Sequence, residues 1–131
     1  MKLLLDTGIL LWSAAEDYKL NSRAMELLSS KTSEPYLSSA TVWEISIKYA
    51  LGTLQLHAEP EVFIPEVIRG MNLRTLDITS VHAIEAGRLP RYHRDPFDRM
   101  LIAQARMENM VLLTADRVFQ KYQVKTVFCG K

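Results

Sequence analysis

Apolar and polar positions follow one another in blocks that predict short buried strands separated by helices. Two short apolar runs, at 2–5 and 111–113, are typical of strands buried on both faces of a sheet. Further strand candidates lie at 35–38, 73–78 and 126–128. Strands that alternate with helical segments predict a parallel sheet covered on both faces, which is a three-layer α/β/α sandwich.

The helical segments are predicted from apolar spacing and from residues that start or end helices. The first predicted helix includes residues 9–12. The others span about 20–29, 40–51, 60–70, 80–86 and 96–107, with a short helix after 118. The clearest start is Asp95-Pro96, an N-cap followed by proline at the first helical position. Ser39 is predicted to cap the third helix, while Gly52 and Gly87 are predicted to end the third and fifth.

Length and composition fit one soluble domain spanning 1–131. The chain is 48% hydrophobic and 24% charged, with a formal net charge of +1. This charge gives no overall attraction to nucleic acids or membranes, so a nucleic-acid contact requires a local basic patch. The single cysteine, Cys129, excludes an internal disulfide and a thiolate metal cage.

The N-terminus resembles a signal peptide only superficially. Asp6 interrupts the apolar stretch that follows Lys2, whereas an export signal needs a continuous apolar region of roughly 7–15 residues. No other segment approaches the ~20 apolar residues that span a bilayer. We therefore expect a cytoplasmic protein without a membrane segment.

Acidic residues recur where the predicted strands end or the helices begin. Asp6 and Asp116 follow strands, Asp98 lies in the first turn of a helix, and Glu44 lies on the helix after the second strand. Each has a simpler explanation when taken alone. Asp6 is a favourable N-cap, and Glu44 with Lys48 has the spacing of an exposed helix pair that contributes about 0.2–0.5 kcal/mol. From that helix alone, the exposed pair is the better interpretation of Glu44.

Four such acids at strand ends and helix starts favour a shared site over four separate explanations. Ligands of open parallel sheets bind outside the carboxyl ends of the strands, so these side chains are expected at one rim. Crowded carboxylates raise one another's pKa unless a cation neutralises them. A site of oxygen ligands without histidine or cysteine favours Mg²⁺ or Mn²⁺, which supports phosphodiester hydrolysis.

Four segments resemble the PIN-domain family, and more closely its VapC toxins from type II toxin–antitoxin systems. They are LLLDT (3–7), SSATVWEISIK (38–48), HRDPFDRMLIAQA (93–105) and LLTAD (112–116). LLTAD alone is a weak signal, but HRDPFDRMLIAQA downstream of WEI-x-x-K is specific. The segments occur in the family's order and spacing, so the resemblance covers nearly the whole chain.

The resemblance implies a Mg²⁺-dependent endoribonuclease whose acidic quartet is Asp6, Glu44, Asp98 and Asp116. Asp6 and Asp98 are expected to bind metal directly, and the other two to complete the site through waters or a second ion. It also implies a VapB-like antitoxin that covers the site, and a homodimer. Gly8 departs from the family, which often has a polar side chain there, so we expect Thr7 and Thr114 to be the supporting polar residues.

A basic loop precedes Asp98 and supplies candidate RNA contacts. Together with the third helix it offers Lys48, Arg91, Tyr92, Arg94 and Arg99, which are predicted to hold an RNA backbone or stack on a base. Two interpretations remain open, because Arg94 or Arg99 could instead pair with Asp95 or Asp98 in a solvated loop.

Two alternative functions are distinguishable from this hypothesis. A catalytically weak or inactive PIN-like module would bind RNA or a partner without cutting, and only Gly8 favours it. A phosphatase would use the aspartate that ends the first strand. Asp6-Thr7-Gly8 lacks a second acid two residues further on, which disfavours an aspartyl-phosphate mechanism.

Overall fold

The computed structural model describes all 131 residues as five strands and six α-helices. The strands are β1 (Lys2–Leu5), β2 (Glu34–Ser38), β3 (Arg74–Leu76), β4 (Val111–Thr114) and β5 (Thr126–Phe128). The helices are α1 (Thr7–Ala15), α2 (Ser22–Ser29), α3 (Ser39–Ala50), α4 (Pro60–Met71), α5 (Ser80–Arg88) and α6 (Pro96–Met107). Two 3-10 helices, Asp17–Lys19 and Arg117–Lys121, connect larger elements.

The five strands form one sheet in the order β3-β2-β1-β4-β5, and every neighbouring pair is parallel. The predicted parallel sheet is therefore confirmed. The chain runs outward in one direction through β2 and β3 and in the other through β4 and β5. Because the strand order reverses between β1 and β4, a crevice is expected outside their carboxyl ends. The register pairs Leu5 with Leu113, so these two ends lie side by side.

The core has two halves, one on each face of the sheet. Leu3 and Leu5 pack in one apolar cluster with side chains of α1, α2 and α4, while Leu4 packs in another with side chains of α5 and α6. All three leucines are fully buried, which explains why β1 is apolar from Leu3 to Leu5, after the exposed Lys2. Each contributes roughly 1.5–3 kcal/mol by burial. The predicted three-layer sandwich is confirmed, and none of its helices combines the length and apolarity needed to span a bilayer.

The helix starts were predicted with mixed accuracy. Asp95 caps α6 as expected, since its Oδ1 accepts the N–H groups of Phe97 and Asp98. The expected cap of α3 is wrong by one residue. Ser38 accepts the N–H of Ala40, whereas the Ser39 hydroxyl accepts the N–H of Ile78. By sequence alone, either of the two adjacent serines could cap α3. Only the fold distinguishes them, because it places the Ser39 hydroxyl beside Ile78, in the segment between β3 and α5.

The end of α5 was predicted wrongly, because the helix continues through Gly87 to Arg88. It stops where Leu89 adopts an extended conformation with ψ of 147°. Leu89 precedes Pro90, and the proline ring disfavours helical geometry in the residue before it. The proline, not the glycine, therefore ends this helix. The short helix predicted after residue 118 is the 3-10 helix Arg117–Lys121.

Gly87→Ala is expected to raise the free energy of unfolding by about 0.5–1 kcal/mol. The position is helical, and an added Cβ would meet no heavy atom within 4 Å. Denaturation by urea measures the change. Gly52→Ala is the matched control and should destabilise the protein, because Gly52 has a positive φ of 77°. A Gly87→Ala variant no more stable than the wild type would contradict the expectation.

Candidate active site

The ends of β1 and β4 place two acids beside each other at the carboxyl edge of the sheet. Asp6 directly follows β1, and Asp116 lies two residues beyond β4. The N–H of Asp6 donates to the carbonyl of Leu113 at 3.0 Å, so the pairing of the two strands continues up to the acid. Asp6 also caps α1, since its Oδ1 accepts the N–H of Ile9 at 2.8 Å. One carboxylate thus serves as a helix cap and as part of the acidic group.

Thr114 connects these two acids from the last position of β4. Its hydroxyl donates to Asp6 Oδ2 at 2.5 Å and accepts the backbone N–H of Asp116 at 3.0 Å. The side chain is buried, so water does not compete for these contacts. Thr114 therefore fixes the Asp6 carboxylate relative to the backbone that carries Asp116.

Glu44 enters the same hollow from α3 and is only 4% exposed. Its Oε1 accepts the Thr7 hydroxyl at 2.6 Å, and its Oε2 accepts Lys48 Nζ at 2.6 Å. The hydrogen bond from Lys48 to Glu44 raises the lysine's pKa. The pair predicted from helix spacing does form, but Glu44 is not the exposed partner that α3 alone indicated. The position of Thr7 at the start of α1 explains the burial, because α1 packs against α3 at this end.

Asp98 lies in the first turn of α6, directly behind the Asp95 cap. Its side chain is 20% exposed, and its Oδ2 lies 3.0 Å from His93 Nε2, whose hydrogen bond is directed at Asp116. Burial raises the pKa of Asp98 to about 8, and the negative charges of Asp95, Glu44, Asp6 and Asp116 act in the same direction. Asp98 is thus the carboxylate whose charge the protein compensates least.

The pKa of Asp6 is raised to about 6, again chiefly by burial. Hydrogen bonds from Thr114 and Ile9 oppose this shift, while the charges of Asp116 and Glu44 add to it. The negative charges of Glu44 and Asp116 therefore raise the pKa of both Asp6 and Asp98. The structure brings the four predicted acids together. A buried excess of carboxylate charge is the environment that suits a hard divalent cation with oxygen ligands.

His93 is a neighbour of this site that the sequence interpretation did not single out. Its Nε2 lies 3.0 Å from Asp98 Oδ2 and 3.0 Å from Asp116 Oδ2. A histidine therefore borders the acids, while the expectation of oxygen ligands alone stays a prediction. His93 precedes the Asp95 cap by two residues and appeared only as one basic residue of a loop. Its contact with Asp116 spans 23 positions and depends on how the loop folds, so no spacing rule reveals it.

Arg99 has a different environment from the one expected of an RNA contact. Its guanidinium donates to the backbone carbonyls of Ala86, Leu89, Pro90 and His93, at 2.8–3.4 Å. These four bonds hold the end of α5 and the loop before α6 against α6, so the guanidinium is engaged by the protein's own backbone. It also makes no ion pair with Asp95 or Asp98, which was the alternative considered for it.

The other candidate RNA contacts are accessible to solvent. Tyr92 is 55% exposed, Arg91 and Arg94 are exposed, and the Lys48 side chain is 47% exposed beside Glu44. The three loop residues flank His93 and therefore lie next to the acidic group along the chain. Their contact with RNA remains a prediction.

Comparisons with known proteins agree with the architecture. The family model of the PIN domain matches residues 3–125. A sequence search of curated proteins finds no match. Among solved structures, VapBC2 from Rickettsia felis bound to a promoter DNA fragment has a TM-score of 0.75 at 17% identity, covering 98% of this chain and 99% of that chain.

Two further structures have the same fold. DNA-bound VapBC from Salmonella typhimurium has a TM-score of 0.70 at 21% identity, with 98% of each chain covered. A toxin–antitoxin complex from Klebsiella pneumoniae has a TM-score of 0.64 at 16% identity, with 95% of each chain covered. At these identities the likeness establishes the fold alone.

Proposed function

This chain belongs to the PIN domain family, and from that premise we propose that it is a Mg²⁺-dependent endoribonuclease acting as the toxin of a toxin–antitoxin pair. The family supports a hydrolase of nucleic acids. One observation carries the proposal further: four acids from separate parts of the chain share one hollow, and burial and mutual repulsion raise the pKa of Asp98 to about 8. A divalent cation stabilises such a group.

Asp6 and Asp98 are the proposed direct ligands of the metal. Only Oδ2 of the Asp98 carboxylate lies beside a protein donor, His93 Nε2 at 3.0 Å, so Oδ1 is available to an ion. Both oxygens of Glu44 already accept bonds, from Thr7 and Lys48, which supports a contact through water instead. When bound, Mg²⁺ lowers the pKa of a water molecule and stabilises charge on the scissile phosphate.

The remaining residues are proposed to orient the ligands and the substrate. Thr114 and Thr7 hold Asp6 and Glu44 through short hydrogen bonds, which reduces the reorganisation needed when a cation arrives. The ammonium group of Lys48 is beside the acids yet accessible, so it can meet a backbone phosphate. Arg91, Tyr92 and Arg94 are exposed and are proposed to extend this contact along a single strand by charge and stacking.

The proposed partners are a VapB-like antitoxin and a second copy of this chain. The support is the shared fold with the chains of the VapBC and Klebsiella pneumoniae complexes, the latter described as a toxin–antitoxin complex. An antitoxin segment that covers the acids would block both metal and RNA. Co-expression with a candidate antitoxin should therefore relieve any growth arrest caused by this chain alone.

The central test is cleavage of RNA with the divalent cation as the variable. The purified protein should cleave single-stranded RNA in Mg²⁺ or Mn²⁺ and stop when the metal is chelated, because the acids hold the ion that activates water. Gel analysis of defined RNA substrates measures the reaction, with single-stranded DNA of the same sequence as the substrate control. RNA binding under chelation without cleavage in any metal would favour the inactive module. Phosphate release from a generic phosphomonoester would favour the phosphatase.

A further inference from the structure

The imidazole of His93 occupies the space between two of the four acids. Its Nε2 lies 3.0 Å from an oxygen of Asp98 and 3.0 Å from an oxygen of Asp116, and the hydrogen bond is directed at Asp116. The three candidate ligand atoms lie within 4.8 Å of one another. By distance alone, His93 has two possible roles: it could bind a metal itself, or it could hold in place two of the acids that form the metal site.

The other ring nitrogen distinguishes these roles. The backbone N–H of Asp95 donates to His93 Nδ1 at 3.2 Å. An N–H group can only donate, so Nδ1 is an acceptor and the proton of the neutral ring is on Nε2. A protonated Nε2 donates a hydrogen bond and cannot bind a metal at the same time. Metal binding through Nε2 would move the proton to Nδ1, where it would face the Asp95 N–H.

The ring is also held in place from outside the acidic group. The ring packs against Phe119 in a T-shaped arrangement, with ring centroids 5.6 Å apart and the planes at 67°. The backbone N–H of His93 donates to the Tyr122 hydroxyl at 2.8 Å, and that hydroxyl donates to the carbonyl of Pro90 at 2.7 Å. With Asp95 as a third contact, the orientation of the imidazole is set by the protein. This is the arrangement expected of a group that orients its neighbours.

We propose that His93 is a positioning residue, which holds Asp98 and Asp116 at metal-binding separation through its Nε2–H and is not itself a ligand. This inference rests on the proposed function, because it assumes that the two acids serve a divalent cation. Two adjacent carboxylates repel each other, and a shared donor between their oxygens offsets part of that repulsion. Without the donor the acids separate, and the cation must bring them back together.

Binding of Mn²⁺ alone tests the proposal without RNA or turnover. Isothermal titration should give a dissociation constant about 10–100-fold weaker for His93→Ala than for the wild type. His93→Gln retains a side-chain N–H donor and should recover most of the affinity. Tyr122→Phe removes the hydroxyl that anchors the loop and should weaken binding less than His93→Ala. His57→Ala is the control, since His57 is exposed and bonds only to Glu66.

Nitrogen couplings in pulsed electron paramagnetic resonance of the Mn²⁺ complex provide a second readout. The wild type should show no directly coordinated ¹⁴N. A coordinated ¹⁴N that disappears in His93→Ala would overturn the proposal in favour of ligation. Unchanged Mn²⁺ affinity in His93→Ala, or a His93→Gln variant as weak as His93→Ala with its circular dichroism intact, would overturn it as well. Failure of the wild type to bind Mn²⁺ would instead contradict the proposed function, so the two failures are distinguishable.

Discussion

Asp98→Asn should abolish metal-dependent RNA cleavage while the protein remains folded. The substitution keeps the size of the side chain but removes the charge that the structure leaves least compensated. The loss should exceed the roughly 10–100-fold typical of removing a residue that only supports a ligand, because a proposed direct ligand is lost. Initial rates on one RNA in saturating Mg²⁺ measure the effect.

Asp95→Asn provides a matched control for this prediction. It makes the same chemical change three residues away, and asparagine is as good an N-cap as aspartate, so α6 should still begin at Pro96. This variant should keep most of the activity, since Asp95 is engaged in the cap. Undiminished cleavage by Asp98→Asn would show that Asp98 is not a metal ligand, and its raised pKa would need a different explanation.

The metal-free protein should lose stability as the pH rises from about 4 to about 8. The pKa of Asp98 is raised from 3.8 to about 8 and that of Asp6 from 3.8 to about 6, so in this window the folded state binds more protons than the unfolded state. The free energy of unfolding then falls with increasing pH. A bound divalent cation should reverse the loss at pH 8, because it neutralises the ionised carboxylates and binds only the folded chain.

Thermal unfolding at pH 5, 6.5 and 8, with chelator and with Mn²⁺, measures this linkage. The stabilisation by Mn²⁺ should be largest at pH 8 and smallest at pH 5. In Asp98→Asn, the pH dependence above about 6 should largely disappear, since Asp6, with a pKa of about 6, is then the carboxylate whose pKa is still raised in the window. A metal-free wild type that is more stable at pH 8 than at pH 5 would contradict the prediction.

The strands and helix starts next to the acids could be predicted, because they depend on residues close to them in sequence. Buried parallel strands are apolar without interruption, so β1 and β4 are visible in the sequence, and their ends locate Asp6 and Asp116. The cap at Asp95 fixes the start of α6 and therefore the turn that carries Asp98. Because these signals lie within a few residues of the acids, the convergence of the acids could be expected before the structure was known.

The remaining parts depend on contacts between distant segments. Glu44 has the spacing of an exposed pair, and only the packing of α1 against α3 buries it. In the sequence Arg99 has no evident partner. In the structure it donates to backbone carbonyls at the end of α5 and in the loop that follows, whose path the sequence does not specify. His93 contacts Asp116 only once that loop is in place. These three differences therefore concern polar or charged side chains whose partners are determined by tertiary structure.

The order of the strands has a consequence for when the acidic site forms during synthesis of the chain. β4 pairs with β1 across more than a hundred positions, and Asp116 follows β4, so the acidic hollow cannot close until most of the polypeptide has emerged and docked. Pairings between such distant segments form late, because the cost of closing the intervening loop comes before the gain from the contact. A nascent or truncated chain without β4 therefore lacks the complete acidic site, and under the proposed function an antitoxin made at the same time could bind before the nuclease site has formed.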